Sequence, residues 1–391
     1  MSRIDAAALV GRMVEIRRHL HRHPELSNEE RETQAYLRGV LEAEGFEVVR
    51  DAAGHGLVVD IVGEGEPSGR KVAIRADIDA LPIEEASGVA FASVRPGVMH
   101  ACGHDAHAAM AVGAALLLRN RRSEFGGTAR IIFQPAEEAE PLGGRRVVAE
   151  GLLDDVDAAI GIHVDPYAPT RTVCVGSGPY TLACDTFDIA VLGRSAHAAR
   201  PADGVDAIAV ACSMVSELQK IVSREIDPFD PLVVSVTAIK AGGAYNVVAD
   251  RAALRGTIRY GHQATREHAW ARLRAILAGL AAAHRADVEI DIHEGEPPVV
   301  NDAGMAGLVI ESVTRQFGPD ALVHAPGWTA ADDFGFYSER VPSVYFRLGI
   351  RNEAEGSVHP LHHPAFRVDE AAMPMGAATL CDVAQRFLAR S

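Results

Sequence analysis

The hydrophobic residues recur with different periods along the chain. Over about residues 5–44, apolar residues return every three or four positions, which predicts two helices. The segment HPELSNEE interrupts this pattern, and Ser27 or Asn28 is the expected N-cap of the second helix. Continuous apolar runs such as TARIIFQ and VDAAIGIHV then predict strands that are buried on both faces. Because such strands alternate with helices, this part of the chain indicates an α/β layer.

The pattern changes near residue 183, where apolar and polar residues begin to alternate. This alternation is typical of half-exposed antiparallel strands and recurs in CDTFDIAVLG, PLVVSVTAIKAGG, ADRAALRGTIRY and ADVEIDIHEG. Two helical stretches lie between these runs, and the α/β character returns afterwards. We therefore predict an α/β domain with a mixed, largely buried sheet and helices on both faces, formed by residues 1–183 and 298–391. A smaller α+β domain, residues 184–297, interrupts it with a four-stranded antiparallel sheet and two helices.

Composition and charge narrow the class of protein. A chain of 391 residues exceeds what one hydrophobic core usually serves, and 48% hydrophobic with 23% charged residues is typical of globular proteins. The net charge of −15 disfavours nucleic acid and anionic membranes as partners. No apolar stretch approaches the roughly 18 residues of a membrane span, and the first residues suggest a helix rather than a signal peptide. Five scattered cysteines argue against a disulfide framework, so we expect a soluble cytoplasmic protein.

The first candidate chemical group is the segment HACGHDAH, which contains three imidazoles and a thiol. Cys102 and His104 are expected just ahead of the alanine-rich helix HDAHAAMAVGAALLLRN. Thiolate and imidazole are both ligands of Zn²⁺ and neighbouring transition metals, so a C-x-H pair on a turn is a candidate metal site. The alternative is a solvent-exposed His-rich loop with a buried cysteine.

A second candidate group is the acidic pair that follows the strand TARIIFQ. Glu137 and Glu138 are expected just past the carboxyl end of this strand, where α/β sheets place their ligands. Because adjacent side chains diverge, one carboxylate could hold a metal while the other takes a proton from a water. The alternative is a pair of solvated surface charges.

Further metal-type ligands occur in comparable positions of the sequence. His163 is expected at the end of an apolar strand, and His362 and His363 lie on a proline-containing loop before the last helix. Each could instead be an ordinary core or surface histidine. Asp77 and Asp79 follow another strand and could orient a ligating histidine. The conjunction of four such segments favours one metal site at one rim of the sheet.

Eight motifs occur in order along the chain. They are RADIDALPIEE, MHACGHDAHAAM, IFQPAEE, GIHV, GRSAHAARP, VVSVTAIKAGGAYNVVADRAALRGTIR, ADDFGFY and LHHPAF. Together they resemble the aminoacylase/carboxypeptidase family of co-catalytic metallohydrolases, and most strongly its hippurate hydrolase and indole-acetyl-amino-acid hydrolase branch of metallopeptidases. The resemblance extends from RRHLHRHPELSNEE to the last helix.

The resemblance implies a site with two divalent ions per subunit, which could be Mn²⁺, Zn²⁺, Co²⁺ or Ni²⁺. Glu137 matches the general base of the family, and we place His197 and Asp79 beside it in the catalytic group. In the motif LHHPAF, His363 is the alternative to His362 as a metal ligand. The expected metal ligands are Cys102, His104, Glu138, His163 and His362.

Three residues of the inserted domain match residues that approach the substrate in the family. His197 is expected to donate a hydrogen bond to the developing oxyanion, beside Asn246, and Arg259 to pair with a substrate carboxylate. In dimeric relatives the histidine and the asparagine come from the partner subunit, so the resemblance implies a homodimer through this lid domain. Outside their motifs, His197 would be an unremarkable loop residue and Arg259 an exposed strand cation.

The activity implied is hydrolysis of the amide bond of N-acyl amino acids, or dipeptidase and carboxypeptidase activity on short peptides. Two departures from the family do not remove a ligand or the base: the sequence AEPLGGRRVVAEG after Glu138, and Asp332 where relatives commonly have glutamate. A hydrolase with Cys102 as nucleophile is a second hypothesis. A non-catalytic metal-binding protein is a third, and the retention of Glu137 argues against it.

Overall fold

The structure is a computed structural model that describes residues 6–47, 49–324 and 327–389. The chain divides into two compact units. The first unit comprises Met1–Gly178, Val300–Gly327 and Asp333–Ser391, and the second comprises Pro179–Val299 and Trp328–Asp332. The first unit contains the α/β segments of the sequence, and the second contains the alternating strands.

The helices include the two predicted over about residues 5–44 and the alanine-rich helix predicted at HDAHAAMAVGAALLLRN. In chain order they are α1 (Ala6–Arg22), α2 (Arg31–Ala43), α3 (His104–Asn120), α4 (Gly143–Ala149), α5 (Ala207–Arg224), α6 (Gln263–His284), α7 (Ala303–Phe317), α8 (Gly335–Arg340) and α9 (Met373–Leu388). Short 3₁₀ helices occupy Arg122–Glu124, Pro201–Asp203, Pro319–Ala321 and Glu370–Ala372.

The strands of the first unit surround those of the second in the sequence. In chain order they are β1 (Val49–Ala52), β2 (Gly56–Val62), β3 (Lys71–Asp77), β4 (Thr128–Gln134), β5 (Ala158–Pro169), β6 (Val173–Cys174), β7 (Gly178–Pro179), β8 (Ala183–Leu192), β9 (Ala196–His197), β10 (Leu232–Ala241), β11 (Val247–Val248), β12 (Arg251–Tyr260), β13 (Asp287–Glu296), β14 (Val300–Asn301) and β15 (Ser343–Arg351).

The first unit is built on a seven-stranded mixed sheet in the order β1-β2-β4-β3-β5-β15-β6. The strands β4, β3, β5 and β15 are parallel, and the outer pairs are antiparallel. Successive side chains of a strand point to opposite faces, and both faces of β3 are buried, with Ile74 in the hydrophobic core and Arg75 on the other side. Helices α3 and α9 pack against β3 and β5, α4 contacts β4, and α8 contacts β15. The predicted α/β class is confirmed.

The register of the parallel strands brings the ends of β3 and β4 level with the middle of β5 at one edge of the sheet. Asp77, the last residue of β3, pairs with Gln134, the last residue of β4. Arg75 pairs with Gly161 of β5, which places His163, two residues further on, level with Asp77. The carboxyl ends of parallel strands are the usual ligand-binding edge of an α/β sheet. The residues that follow β3 and β4 therefore meet the middle of β5 at this edge.

The second unit contains a four-stranded antiparallel sheet in the order β10-β12-β8-β13, with α5 and α6 packed on it. Its strands bury alternate residues, as in the pattern of β8, where Phe187 and Ile189 are in the core. A two-stranded ladder joins β9 to β11. The predicted α+β sheet with two helices is present in this unit.

Two details of the sequence interpretation were wrong. Neither Ser27 nor Asn28 caps α2, since the N-cap residue is Glu30 and makes no side-chain capping bond. Ser27 instead donates a hydrogen bond to Asp79. His163 does not end its strand, because β5 continues to Pro169 while it remains paired with β15. Among the described residues, none of the helices combines the length and apolarity needed to cross a membrane.

Candidate metal centre

His104 is the first residue of α3 and is completely buried. Its Nδ1 lies 3.1 Å from Oδ1 of Asp79 and 3.0 Å from the Asp79 carbonyl oxygen, both of which accept its proton. The preceding Gly103 has a φ of 93°, and a Cβ there would lie 2.4 Å from Cγ2 of Val164. Glycine is therefore required at the turn that brings His104 out of the loop and into the helix.

Cys102 and His163 approach each other from the turn before α3 and from β5. The Sγ atom of Cys102 lies 3.4 Å from Nε2 of His163, and both residues are buried. The other ring nitrogen of His163 donates to the carbonyl oxygen of Val164 at 2.7 Å. The bond to Val164 fixes the ring so that Nε2 faces Cys102, which is the arrangement that a pair of ligands requires.

Glu138 links this pair to the C-terminal loop. Its Oε1 lies 3.3 Å from Nε2 of His362 and 3.9 Å from Nε2 of His104. The Glu138 backbone N–H donates to Oδ2 of Asp79 at 3.0 Å, so one aspartate orients both an imidazole and the backbone of a carboxylate. His363 is directed elsewhere, since its ring stacks on His359 and its Nδ1 accepts from the N–H of Ala365.

All five predicted ligands lie in overlapping groups whose ligand atoms are within 4.8 Å of one another. One group contains Glu137 together with His104 and Glu138. Two buried atoms at the centre, His104 Nε2 and Glu138 Oε1, have no hydrogen-bond partner within the described part of the chain. Buried polar atoms are normally satisfied, and a divalent cation would satisfy both. The donors are a thiol, imidazoles and carboxylates, which are ligands of transition metals.

The electrostatics of the cluster also suit a cation. Burial raises the pKa of the Cys102 thiol well above its ordinary value, and Glu138, Glu137 and Asp77 raise it further. Burial lowers the pKa of His104, but Asp77, Asp79 and Glu138 outweigh this effect and bring the pKa to about 10. Both shifts mean that the surrounding carboxylates make the pocket strongly favourable for positive charge.

The fixed orientation of the ligands depends on a buried network that sequence reasoning did not resolve. His107 donates from Nδ1 to Asp77 at 2.6 Å and accepts the N–H of Val164 at Nε2. Arg75 pairs with Asp77 at 2.6 Å and also with Asp333, which in turn accepts hydrogen bonds from Gln134 and Gly144. Asp77 was identifiable as a supporting residue from its position after β3. The link to Asp333 was not, because it joins residues 258 positions apart.

His197, predicted as catalytic, and the predicted substrate-binding residues Asn246 and Arg259 lie in the second unit. Val247 pairs with His197 across the β9–β11 ladder, and the carbonyl oxygen of Asn246 accepts the N–H of Ala198. Both His197 and Asn246 are exposed. Arg259, on β12, donates to the Thr329 carbonyl oxygen at 3.1 Å. The structure thus places His197 and Asn246 next to each other in the second unit.

A mixed α/β sheet whose ligand-binding edge carries a thiol, imidazoles and carboxylates defines a class of metallohydrolases. The sequence profile of peptidase family M20/M25/M40 matches residues 73–386, so the chain belongs to this family. It is a metal-dependent hydrolase of linear amide bonds, and the predicted family resemblance is confirmed.

Individual relatives are similar over nearly the whole chain. N-acetyl-L-cysteine deacetylase of Bacillus subtilis (strain 168) is 38% identical over 385 residues, which cover 98% of this chain and 90% of the relative. An IAA-amino acid hydrolase of Arabidopsis thaliana is 36% identical over 380 residues, covering 96% and 85%. The crystal structure of a dinuclear metal-binding peptidase of the M20 family from Bacillus subtilis matches with a TM-score of 0.86 and 35% identity, covering 98% and 99%.

Proposed function

We propose that this protein hydrolyses N-acyl amino acids to a carboxylic acid and a free amino acid at a site for two divalent cations. The observation that carries this proposal is the convergence of the five predicted ligands, with Glu137 in the same cluster. The names of the deacetylase and the IAA-amino acid hydrolase support the substrate class. The dinuclear relative supports a site for two ions.

Cys102, His104, Glu138, His163 and His362 would hold the metal ions. When bound, divalent cations supply the Lewis acidity that polarises an amide carbonyl and acidifies a water. Mn²⁺, Zn²⁺, Co²⁺ and Ni²⁺ are all compatible with thiolate, imidazole and carboxylate ligands.

Glu137 acts as the general base in this proposal. Its carboxylate takes a proton from the attacking water and delivers it to the nitrogen of the departing amine. Asp79 contributes by orienting His104, with which it shares a proton at Nδ1, rather than by touching the substrate. Glu137 and Glu138 are adjacent, so one side chain can serve the proton transfer while the other ligates.

The second unit supplies the groups that recognise the substrate. Arg259 pairs bidentately with the α-carboxylate, since a guanidinium presents a planar fork of donors. His197 donates to the oxyanion, and Asn246 binds beside it. The resemblance to dimeric relatives supports a homodimer through residues 184–297, in which these two residues reach the site of the partner subunit. Residues 184–297 then act as a lid on the catalytic domain of residues 1–183 and 298–391, in a cytoplasmic enzyme.

The hypothesis that Cys102 is a nucleophile is disfavoured by its surroundings. A catalytic thiol is activated by a lowered pKa. Burial and three nearby carboxylates have the opposite effect on Cys102. A cation among these groups would offset the negative field and allow the thiol to ligate as a thiolate.

The test is a panel of N-acyl amino acids and N-blocked dipeptides, with release of the free amine as the readout. The protein is stripped by a chelator and reloaded separately with each of the four candidate metals. We expect no turnover after stripping and recovery on reloading, with N-acyl amino acids as the preferred substrates. Turnover that is unchanged by chelation contradicts the metal-dependent mechanism. Preference for the blocked dipeptides would instead identify a carboxypeptidase.

A further inference from the structure

Glu30 is a buried carboxylate that lies far from the metal ligands in sequence but contacts the loop that carries Glu137. Its side chain is completely inaccessible to solvent. Its Oε1 accepts the backbone N–H of Ala136 at 2.7 Å and that of Asn28 at 3.0 Å. Residues 135–142, which we call the carboxylate loop, follow β4 and contain both glutamates of the site. Glu30 therefore binds the residue immediately before the proposed general base.

Ala136 adopts a backbone conformation that a non-glycine residue rarely occupies. Its φ is 51°, in the left-handed region, and the residue is fully buried. Such conformations persist only where the surrounding structure holds them. Ala136 is held on both sides, since its N–H donates to Glu30 and its carbonyl oxygen accepts the N–H of Gly143 at 2.8 Å. The direction in which Glu137 leaves the backbone follows from this turn.

Ser27 and Asn28, which precede Glu30, contact residues that lie beside the carboxylate loop. Ser27 donates to Oδ2 of Asp79 at 2.7 Å, and that same oxygen accepts the N–H of Glu138 at 3.0 Å. Asn28 has a φ of 70°, and its Oδ1 accepts from Arg146 at 2.6 Å. These polar side chains were expected to cap α2, but they bind Asp79 and the segment after β4 instead. The turn between α1 and α2 therefore contacts Asp79, α4 and, through Glu30, the carboxylate loop.

The burial of Glu30 is unfavourable for its charge. Burial raises the pKa of Glu30 to about 7, and the nearby Asp79 contributes in the same direction. The side chain makes no capping bond to α2, although the residue occupies the N-cap position. The hydrogen bonds of its carboxylate go to the turns at Ala136 and Asn28.

We infer that Glu30 is a positioning residue for the general base: it fixes the left-handed turn at Ala136 and thereby the direction of the Glu137 side chain. This inference rests on the proposed function, because it assumes that Glu137 performs the proton transfer. Misplacement of a reacting group by about 1 Å is enough to lower turnover, even when every metal ligand is still present.

A matched set of variants separates geometry from charge. Glu30→Asp keeps the carboxylate but withdraws it by one methylene, whereas Glu30→Gln keeps the length and an oxygen that can accept both N–H groups. Glu29→Ala is the control, since Glu29 is the adjacent but exposed glutamate. Glu137→Gln provides the benchmark for loss of the base. Each protein is loaded with the same metal, and its bound metal and thermal midpoint are measured before the kinetics.

We expect Glu30→Asp to lower kcat about 10- to 100-fold, with little change in KM or in bound metal. Glu30→Gln retains most of kcat, and Glu29→Ala is unaffected. A second readout is independent of turnover: in the metal-free protein, amide hydrogen exchange at residues 136–137 becomes faster in Glu30→Asp and stays unchanged in Glu30→Gln. The thermal midpoint measured for each variant separates this local change from a general loss of stability.

Two results would overturn the inference. One is wild-type kcat and wild-type amide exchange in Glu30→Asp. The other is a loss of kcat only in proportion to lost metal or lost folded protein, which would reduce Glu30 to a structural residue. Full activity of Glu137→Gln would instead overturn the proposed function. An inactive Glu137→Gln beside a fully active Glu30→Asp rejects the positioning role alone.

Discussion

His104 Nδ1 lies 3.1 Å from Oδ1 of Asp79, and the opposite ring nitrogen of His104 lies 3.9 Å from Oε1 of Glu138. The first contact holds the proton on Nδ1, so that the lone pair of Nε2 faces the ligand cluster. A ligating imidazole depends on such a partner for both its tautomer and its orientation. Asp79, which touches no substrate in the proposed mechanism, should therefore influence the affinity of the site for metal.

Asp79→Asn should weaken metal binding. An asparagine can present its amide N–H to His104, which removes the fixed preference for a proton on Nδ1. We expect the dissociation constant of the more tightly bound metal to rise about 10- to 100-fold, as measured by competition with a fluorescent chelator. Asp320→Asn, at an exposed aspartate, serves as the control. Equal metal affinity in Asp79→Asn and wild type would reject the orienting role.

The cysteines should differ sharply in their reactivity toward alkylating reagents. Cys212 is exposed, whereas burial raises the pKa of Cys174 to about 11 and that of Cys381 to about 12. At about pH 8, near the ordinary thiol pKa, we expect iodoacetamide to modify Cys212 first in the metal-loaded protein, with activity retained. Mass spectrometry of the labelled peptides identifies the site. Rapid inactivation in parallel with labelling of Cys102 would support the nucleophile hypothesis instead.

Arg259→Lys should impair substrate binding and leave the metal site intact. Lysine retains the charge but cannot form the planar, bidentate pair with a carboxylate. We expect kcat/KM for an N-acyl amino acid to fall about 10-fold or more, since a hydrogen bond to a charged group is worth about 1.5–3 kcal/mol. Arg255→Lys, on the same strand and paired with Asp188, should have little effect. Equal losses in the two variants would argue against a specific role for Arg259.

His21 should make stability depend on pH. Burial lowers its pKa, but hydrogen bonds to Asp105 at 2.8 Å and Glu85 at 3.1 Å outweigh burial, so the pKa is raised above 6.5. Its charged form is therefore stabilised by folding. This contribution is complete below the unfolded pKa of about 6.5 and is lost as the pH rises through the folded value.

The test compares the thermal midpoint of wild type with that of His21→Gln across this pH range. The variant should be less stable by about 1–3 kcal/mol at low pH, and the difference should shrink as the pH rises past the folded value. His284→Gln, at an exposed histidine, provides the control. A difference that stays constant with pH would mean that His21 stabilises the fold through packing alone.

Part of the candidate ligand cluster was predictable, because the segments that carry Asp79 and Glu138 follow strands whose geometry is regular. The register that pairs Asp77 with Gln134 brings the segments after β3 and β4 to one edge of the sheet. Residues that end parallel strands therefore meet, whatever their separation in sequence. His163 lies at the same edge although it is inside β5. Its position along the strand, level with the ends of β3 and β4, brings it to the site.

Beyond Asp77 and Asp79, the support of the site was not predictable, because it depends on contacts over long sequence distances. Ser27 and Asn28 have the side chains of helix caps, and a local pattern assigns them to α2. In the structure, Ser27 donates its hydrogen bond to Asp79 instead of capping α2, and Asn28 donates to the carbonyl oxygen of Ala139 in the carboxylate loop. Glu30 contacts Ala136 across 106 positions, and nothing in its sequence neighbourhood distinguishes it from the exposed Glu29.

The most direct test of the central claim is to measure bound metal and turnover together in purified Glu137→Gln. If Glu137 is the base beside a cluster of five ligands, this variant should bind as many ions per chain as the wild type, with two expected for both, and lose turnover by orders of magnitude. Retained turnover would contradict the assignment of the base. A wild-type protein that binds no metal after exposure to all four candidate ions would contradict the site itself.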